Sequence, residues 1–221
     1  MDPQAVASLI DHTLLKPDAP REAIIRLCRE AREFGFGAVC VNPYWTGLAA
    51  QELAGSDVKI AVVAGFPLGA NETRTKVFEA SCAIGEGASE IDMVINVGAL
   101  VCGDTDAVQR DIAEVVHTSH INGAIVKVIL ETALLTDAQK KQACNLAQRA
   151  GADFVKTSTG FGPGGATAAD VTLMRAVVGP GMGVKASGGI RTWEDCRALI
   201  AAGANRIGTS SGVAILSAIP A

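Results

Sequence analysis

Residues 123–160 read GAIVKVILETALLTDAQKKQACNLAQRAGADFVKTSTG and hold a strand, a helix and a second strand. Residues 125–131 are a run of Val, Ile and Leu interrupted by Lys127 and closed by Glu131, apolar on both faces or nearly so. Short unbroken apolar runs of this kind mark strands buried in a parallel sheet. The next segment opens TDAQ, a capping box in which the Thr136 hydroxyl caps the helix and Gln139 reaches back. Gly151 stops that helix, as a left-handed residue after a helix end does. Gly151-Ala152 then leads into a second strand at 154–159.

The alternation continues in both directions. Strands are predicted at 9–14, 38–42, 59–65, 90–96, 125–131, 154–159, 183–187 and 206–210. Residues 20–34 form an amphipathic helix with Ile24, Leu27, Cys28 and Ala31 on one face. The helix predicted at 192–202 begins TWED, with Asp195 in the capping-box position, and Gly35, Gly87 and Gly203 end their runs as Gly151 does. A Gly-Ala pair enters the strands at 37–38, 87–88, 123–124, 151–152 and 203–204, a recurrent turn and not a solenoid repeat. Strict alternation calls for a parallel sheet with helices outside it. Eight such units in 221 residues predict an α/β fold, one TIM (β/α)8 barrel forming a single domain over residues 1–221. A doubly wound open sheet is the second choice, and the GxGxxG fingerprint it carries after its first strand is absent.

Composition narrows the function. A net charge of −4, no Lys/Arg cluster and few aromatic residues (Trp 2, Tyr 1, Phe 6) argue against a nucleic-acid surface. No run approaches the ~20 apolar residues of a membrane helix, and the N-terminus lacks the basic start of a signal peptide. The six cysteines are scattered without a CxxC pair, so reduced thiols in a cytoplasmic protein are expected.

Charged residues inside strands point to chemistry, because Lys and Asp are rarely buried unless paired or used. By the period-two rule Asp92, Val94 and Asn96 share a face, as do Lys127, Ile129 and Glu131. Lys156 and Ser158 share another, and so do Lys185 and Ser187. A lone strand lysine such as Lys127 is as often solvent-facing as functional, and Asp92 alone could be a structural acid. Lys156 and Lys185 are different, since a closed barrel has no edge strand and both have small neighbours. Two adjacent ammonium groups repel and lower the pKa of at least one, giving the neutral amine that attacks a carbonyl. A nearby acid then moves protons.

Phosphate binding is the second expectation. Strand seven ends in Gly188-Gly189 ahead of Arg191, and strand eight ends in Ser210-Ser211 ahead of a short helix. Barrel phosphate sites are often built from these two loops. STGFGPGG after strand six either extends the cradle beyond Gly160 or is a connecting loop. His117 and His120 share a helix face with no third ligand, so no metal site is expected. His12 is read as a packed histidine, with the mouth as its alternative.

The segments LIDHTLLKPDA, GAVCVNP, VVAGFPLGA, GASEIDMVINVGAL, VKVILET, GADFVKTSTGF, VKASGGIRT and RIGTSSG, in this order, resemble the deoxyribose-phosphate aldolases over almost the full chain. The resemblance implies a class I aldolase that reversibly cleaves 2-deoxy-D-ribose 5-phosphate to D-glyceraldehyde 3-phosphate and acetaldehyde, without metal or cofactor. It implies Lys156 as the Schiff-base lysine, Lys185 as the second lysine and Asp92 as the proton donor and acceptor. Gly160, Gly188, Gly189, Ser210 and Ser211 would hold the phosphate, and Asp11, Thr13 and Lys127 would line the mouth. The partner implied is a small phosphosugar, with neither nucleic acid nor membrane, and a homo-oligomer is compatible with it. The chain departs from some members in having Phe161 where they have lysine. It also ends in SAIPA, with Tyr44 as its only tyrosine, where some carry a tail tyrosine. A tail-assisted proton step is therefore expected to use water or another residue. The competing readings are another phosphosugar barrel lyase or isomerase, and a silent barrel that only binds phosphorylated ligands.

Overall fold

Eight strands pair in parallel in the order of the sequence, and the eighth pairs back to the first, which closes a barrel. The structure is a computed structural model and describes residues 1–220. The strands are β1 (Ile10–Leu14), β2 (Ala38–Val41), β3 (Lys59–Ala64), β4 (Glu90–Val94), β5 (Ile125–Ile129), β6 (Phe154–Lys156), β7 (Gly183–Ser187) and β8 (Arg206–Thr209). Helix α1 (Pro3–Ala7) precedes β1. The outer ring is α2 (Arg21–Phe34), α3 (Thr46–Glu52), α4 (Thr73–Gly85), the pair α5 (Val97–Val101) and α6 (Thr105–Ile121), α7 (Asp137–Arg149), α8 (Ala168–Val178), α9 (Trp193–Ala201) and α10 (Gly212–Ser217). The α/β TIM barrel expected from the alternation is the fold observed.

Local signals place these elements where the residues require. Both capping boxes form, at Thr136 with Gln139 and at Thr192 with Asp195. Gly35, Gly87, Gly151 and Gly203 all have positive φ at helix ends. The main apolar core lies between barrel and helices, where Ile24, Leu27, Cys28 and Ala31 of α2 are buried as their spacing required. All six cysteines are free. Among the described residues no helix is long and apolar enough to cross a membrane.

Several strands stop short of their expected ends, each for a local reason. β4 stops at Val94 because Asn96 turns to cap α5, its Oδ1 accepting the Ala99 N–H at 3.0 Å. β5 stops at Ile129 because Glu131 takes up a left-handed backbone, φ 57°. β6 ends at Lys156, after which side chains continue the ladder. There the Thr157 hydroxyl donates to the Ser187 carbonyl, and its oxygen accepts the Ser187 N–H, both at 3.1 Å.

Candidate active site

The inner faces of six strands deliver charge to one place. The period-two reading holds for Asp92, Lys127, Lys156 and Lys185, all of which point inward and are buried. Asp92 is the hub. Its Oδ2 accepts from Lys185 Nζ at 2.7 Å and from Lys156 Nζ at 2.8 Å, while its Oδ1 accepts from Lys127 Nζ at 2.7 Å. Lys185 Nζ also reaches Asp11 Oδ2 at 2.5 Å, and Lys127 Nζ reaches Glu90 Oε2 at 2.5 Å. Arg206 closes the network from β8, with its Nε 2.7 Å from Asp11 Oδ1 and its Nη2 3.1 Å from Glu90 Oε2.

Charge counting singles out one lysine. Three carboxylates (Asp11, Glu90, Asp92) meet four cations (Lys127, Lys156, Lys185, Arg206), so the fully ionised network carries one positive charge in excess. Burial works against every charge here, but its outcome differs. Around Lys185 burial is outweighed by Asp11 and Asp92, and the pKa rises. Burial is likewise outweighed at Lys127, mainly by Asp92, and its pKa also rises. At Lys156 burial and then the Lys185 charge outweigh the pull of Asp92, and the pKa falls. Lys156 is therefore the amine of the network that most readily stands neutral. Burial would raise the Asp92 carboxyl, but Lys127, Lys156 and Lys185 hold it well below the usual carboxylate range. The arrangement offers a neutral amine beside a carboxylate and a firmly protonated ammonium.

Above this network opens a cavity of about 370 Å³ whose lining includes Lys156, Thr13, Gly160, Gly188, Gly189 and Ser210. Lys156 is thus both a member of the network and part of the cavity wall. Two rim cations, Lys16 and Arg191, line the same cavity and are exposed. Ser211 does not line it, and its N–H is donated to Thr209 Oγ1 at 2.9 Å. Of the three residues expected at the mouth, Thr13 lines the cavity, whereas Asp11 and Lys127 lie beneath it, fully buried among their counter-ions. That is a correction, and its cause is the ion pairing that draws both side chains below the cavity. The segment after Gly160 is pinned to β7's loop, with the Ala166 N–H donating to the Gly188 carbonyl at 3.0 Å.

Other sequence candidates resolve simply. His12 packs outside the barrel, with its Nε2 2.7 Å from Glu30 Oε2 and its ring against Phe36. His117 is exposed, and His120 pairs with Asp153 at 2.8 Å. Among the described residues no three His, Cys, Asp or Glu side chains are grouped to hold a metal. Phe161 is half exposed, lines the cavity and meets the Phe66 ring edge-on at a centroid distance of 5.4 Å. Sequence reasoning missed Glu90, Arg206 and Cys40. Glu90 lies two residues before Asp92 on the same face, so the period-two rule carried its signal. Cys40 of β2 comes within 4.0 Å of Asp92 Oδ2 through its sulfur.

Comparison with known proteins identifies the family. Residues 5–219 match the family described as DeoC/LacD family aldolase. A Thermococcus gammatolerans protein named deoxyribose-phosphate aldolase is 63% identical over 213 residues, covering 96% of this chain and 95% of that one. A Streptococcus sanguinis protein of the same name is 62% identical, covering 94% of this chain and 93% of its own. The tetrameric structure of the Aeropyrum pernix deoxyribose phosphate aldolase superposes with a TM-score of 0.90 at 39% identity, over 98% of this chain and 91% of that chain. A buried lysine–carboxylate network under a barrel mouth, carried on a sequence this similar over nearly its whole length, places the chain in the DeoC/LacD family of aldolases.

Proposed function

We propose that this aldolase reversibly cleaves 2-deoxy-D-ribose 5-phosphate to D-glyceraldehyde 3-phosphate and acetaldehyde through a Schiff base on Lys156. The observation that carries the reading is the position of Lys156, which lines the cavity and is the one lysine of the network with a lowered pKa. Its neutral amine attacks the C1 carbonyl of the open-chain sugar. The carbinolamine loses water as Lys185 and Asp92 relay a proton to the departing oxygen, leaving a protonated imine. The C3 hydroxyl then returns a proton to the same relay as the C2–C3 bond breaks, and the bond electrons pass to the imine as an enamine, which that proton can later reach at C2. Protonation at C2 and addition of water release acetaldehyde and restore the amine. Asp92 suits the relay because one of its oxygens faces both Lys156 and Lys185.

The phosphate is assigned to Gly160, Gly188, Gly189 and Ser210, which line the cavity away from the network, with Ser211 in support behind them. Lys16 and Arg191 at the rim favour an anion. Thr13 is assigned to the mouth. No step of this sequence calls for a metal or a cofactor. The free cysteines suit a cytoplasmic setting, and exposed Tyr44, Phe78 and Ile121 supply apolar surface for a homo-oligomer.

The test is borohydride trapping. Incubation with deoxyribose 5-phosphate should release acetaldehyde, and reduction should inactivate the protein by alkylating Lys156. An isomerase working through an enediol would leave no reducible adduct. Mass mapping that placed the adduct on Lys185 or Lys127 would overturn the assignment of the nucleophile.

A further inference from the structure

Glu131 follows β5 with φ 57° and ψ 61°, and among the described residues it is the one non-glycine with positive φ. A left-handed backbone strains any residue with a Cβ and persists where the surroundings over-determine it. Here they do. Glu131 is buried, and its Oε2 accepts both the Thr159 hydroxyl and, at 3.3 Å, the Thr159 N–H. The Thr159 hydroxyl oxygen in turn accepts the Phe161 N–H at 3.0 Å. Gly162 passes so close that a Cβ there would stand 2.8 Å from the Glu131 carboxylate carbon. The strands beneath are tied as well, with the Thr132 N–H donating to the Thr157 carbonyl at 2.9 Å.

One carboxylate thus organises the turn three residues beyond Lys156. Thr159, Gly160 and Phe161 all line the cavity above Lys156, whereas Glu131 lies outside that lining and faces a smaller neighbouring cavity with Thr159 and Phe161. Burying a carboxylate is costly, and Glu131 Oε1 is buried without a hydrogen-bond partner, so fold stability alone is a poor account of this residue. Directly against this turn lies the loop of β7, whose Gly188 carbonyl accepts the Ala166 N–H at 3.0 Å. A Cβ on Gly160 would lie 3.8 Å from the Gly188 Cα, and one on Gly188 3.5 Å from the Gly160 Cα, so the two glycines abut as one stretch of cavity wall whose position follows that of the turn.

We propose that Glu131 is a positioning residue which, through Thr159, fixes how the Gly160 turn seats against the Gly188 loop and so shapes the joint glycine wall that receives the substrate phosphate. This rests on the phosphosugar reading above. Glu131 touches neither substrate nor Lys156, and its effect falls on phosphate binding and not on imine formation.

The experiment compares Glu131→Ala and Glu131→Gln with wild type on three readouts. These are KM for deoxyribose 5-phosphate, turnover of unphosphorylated 2-deoxyribose, and the rate of borohydride-trapped acetaldehyde adduct. Glu131→Ala should raise KM for the phosphorylated sugar about tenfold and change the other two readouts less than about threefold. Glu131→Gln, whose amide oxygen still accepts the Thr159 hydroxyl, should restore most of the affinity. Glu131→Gly removes the φ strain together with the carboxylate. It should show the same KM rise, and it decides the matter if the alanine variant does not fold. An unchanged KM, equal losses on all three readouts, or failure of both the alanine and glycine variants to fold would overturn the proposal. Wild type that does not cleave deoxyribose 5-phosphate would instead remove the reading beneath it.

Discussion

Gly208 of β8 lies against Lys185 of β7 so closely that a Cβ added to it would stand 3.0 Å from Lys185 Cε, and closer still to Ser187 Oγ. The absence of a side chain at 208 is what leaves Lys185 room to reach Asp11 and Asp92. Gly208→Ala should displace Lys185 and lower kcat at least tenfold. Overpacking should also cost about 1–3 kcal/mol of stability. Cleavage kinetics and urea unfolding read the two effects separately. Full activity with an unchanged midpoint would show that the lysine needs no such space.

Arg206 is the outermost cation of the network, holding Asp11 and Glu90 together. Arg206→Met leaves two buried carboxylates short of charge, and about 3 kcal/mol of stability should be lost at neutral pH. The pH dependence has a definite sign. Burial would raise the Asp11 carboxyl, but Lys185, Lys127 and Arg206 hold it well below the usual carboxylate range. A depressed carboxyl pKa contributes stability that is present above its unfolded value and lost as pH falls through the folded one. The gap between wild type and variant should therefore narrow as pH drops below the usual carboxylate range. Unfolding curves across that range that stay parallel would count against Arg206 as a partner of Asp11.

The central residues were legible because a closed barrel gives a charged side chain in a strand few places to go. Lys156, Lys185 and Asp92 are each flanked by apolar or small residues, and alternation alone turns them inward. Arg206 was harder to read. It opens β8, where a charged residue ordinarily belongs to a solvated turn, and its inward course depends on its carboxylate partners, Asp11 of neighbouring β1 and Glu90 of β4. Lys127 was placed in the right strand but one layer too high, because sequence spacing sets the face and not the depth. Strand ends escaped for a similar reason, since Asn96 and Glu131 continue the period-two pattern while their backbones have already turned away.

Gly188 has φ 91°, and a Cβ there would stand 3.1 Å from the Gly165 Cα and 3.5 Å from the Gly160 Cα. A side chain would strain the backbone and intrude between the two loops. Gly188→Val should weaken deoxyribose 5-phosphate much more than unphosphorylated 2-deoxyribose, by tenfold or more in relative kcat/KM. Parallel kinetics on the two sugars give the comparison. Equal losses on both would show that the glycine serves the packing of the loops and not the anion.

Lys185→Leu should abolish useful turnover while the barrel still folds. Lys185 and Lys156 donate to the same oxygen of Asp92, so removing one ammonium changes the other in two ways. The repulsion that helps depress the Lys156 pKa disappears, and Asp92, relieved of one competing cation, pulls more strongly on the cation that remains. Both changes raise the Lys156 pKa and keep it protonated near neutral pH. Burial, the largest cause of the depression, is untouched, so the value should remain below what charge removal at an exposed site would allow. The rate of borohydride-trapped adduct should consequently rise with pH in both proteins, with the variant's profile displaced to higher pH. Raising the pH should recover imine formation but little of the cleavage rate. The missing ammonium also served the proton relay, a role ordinarily worth about 10²–10⁴-fold. Coincident trapping profiles would show that Lys185 does not tune Lys156. Recovery of cleavage in step with trapping would show that it takes no part in moving protons.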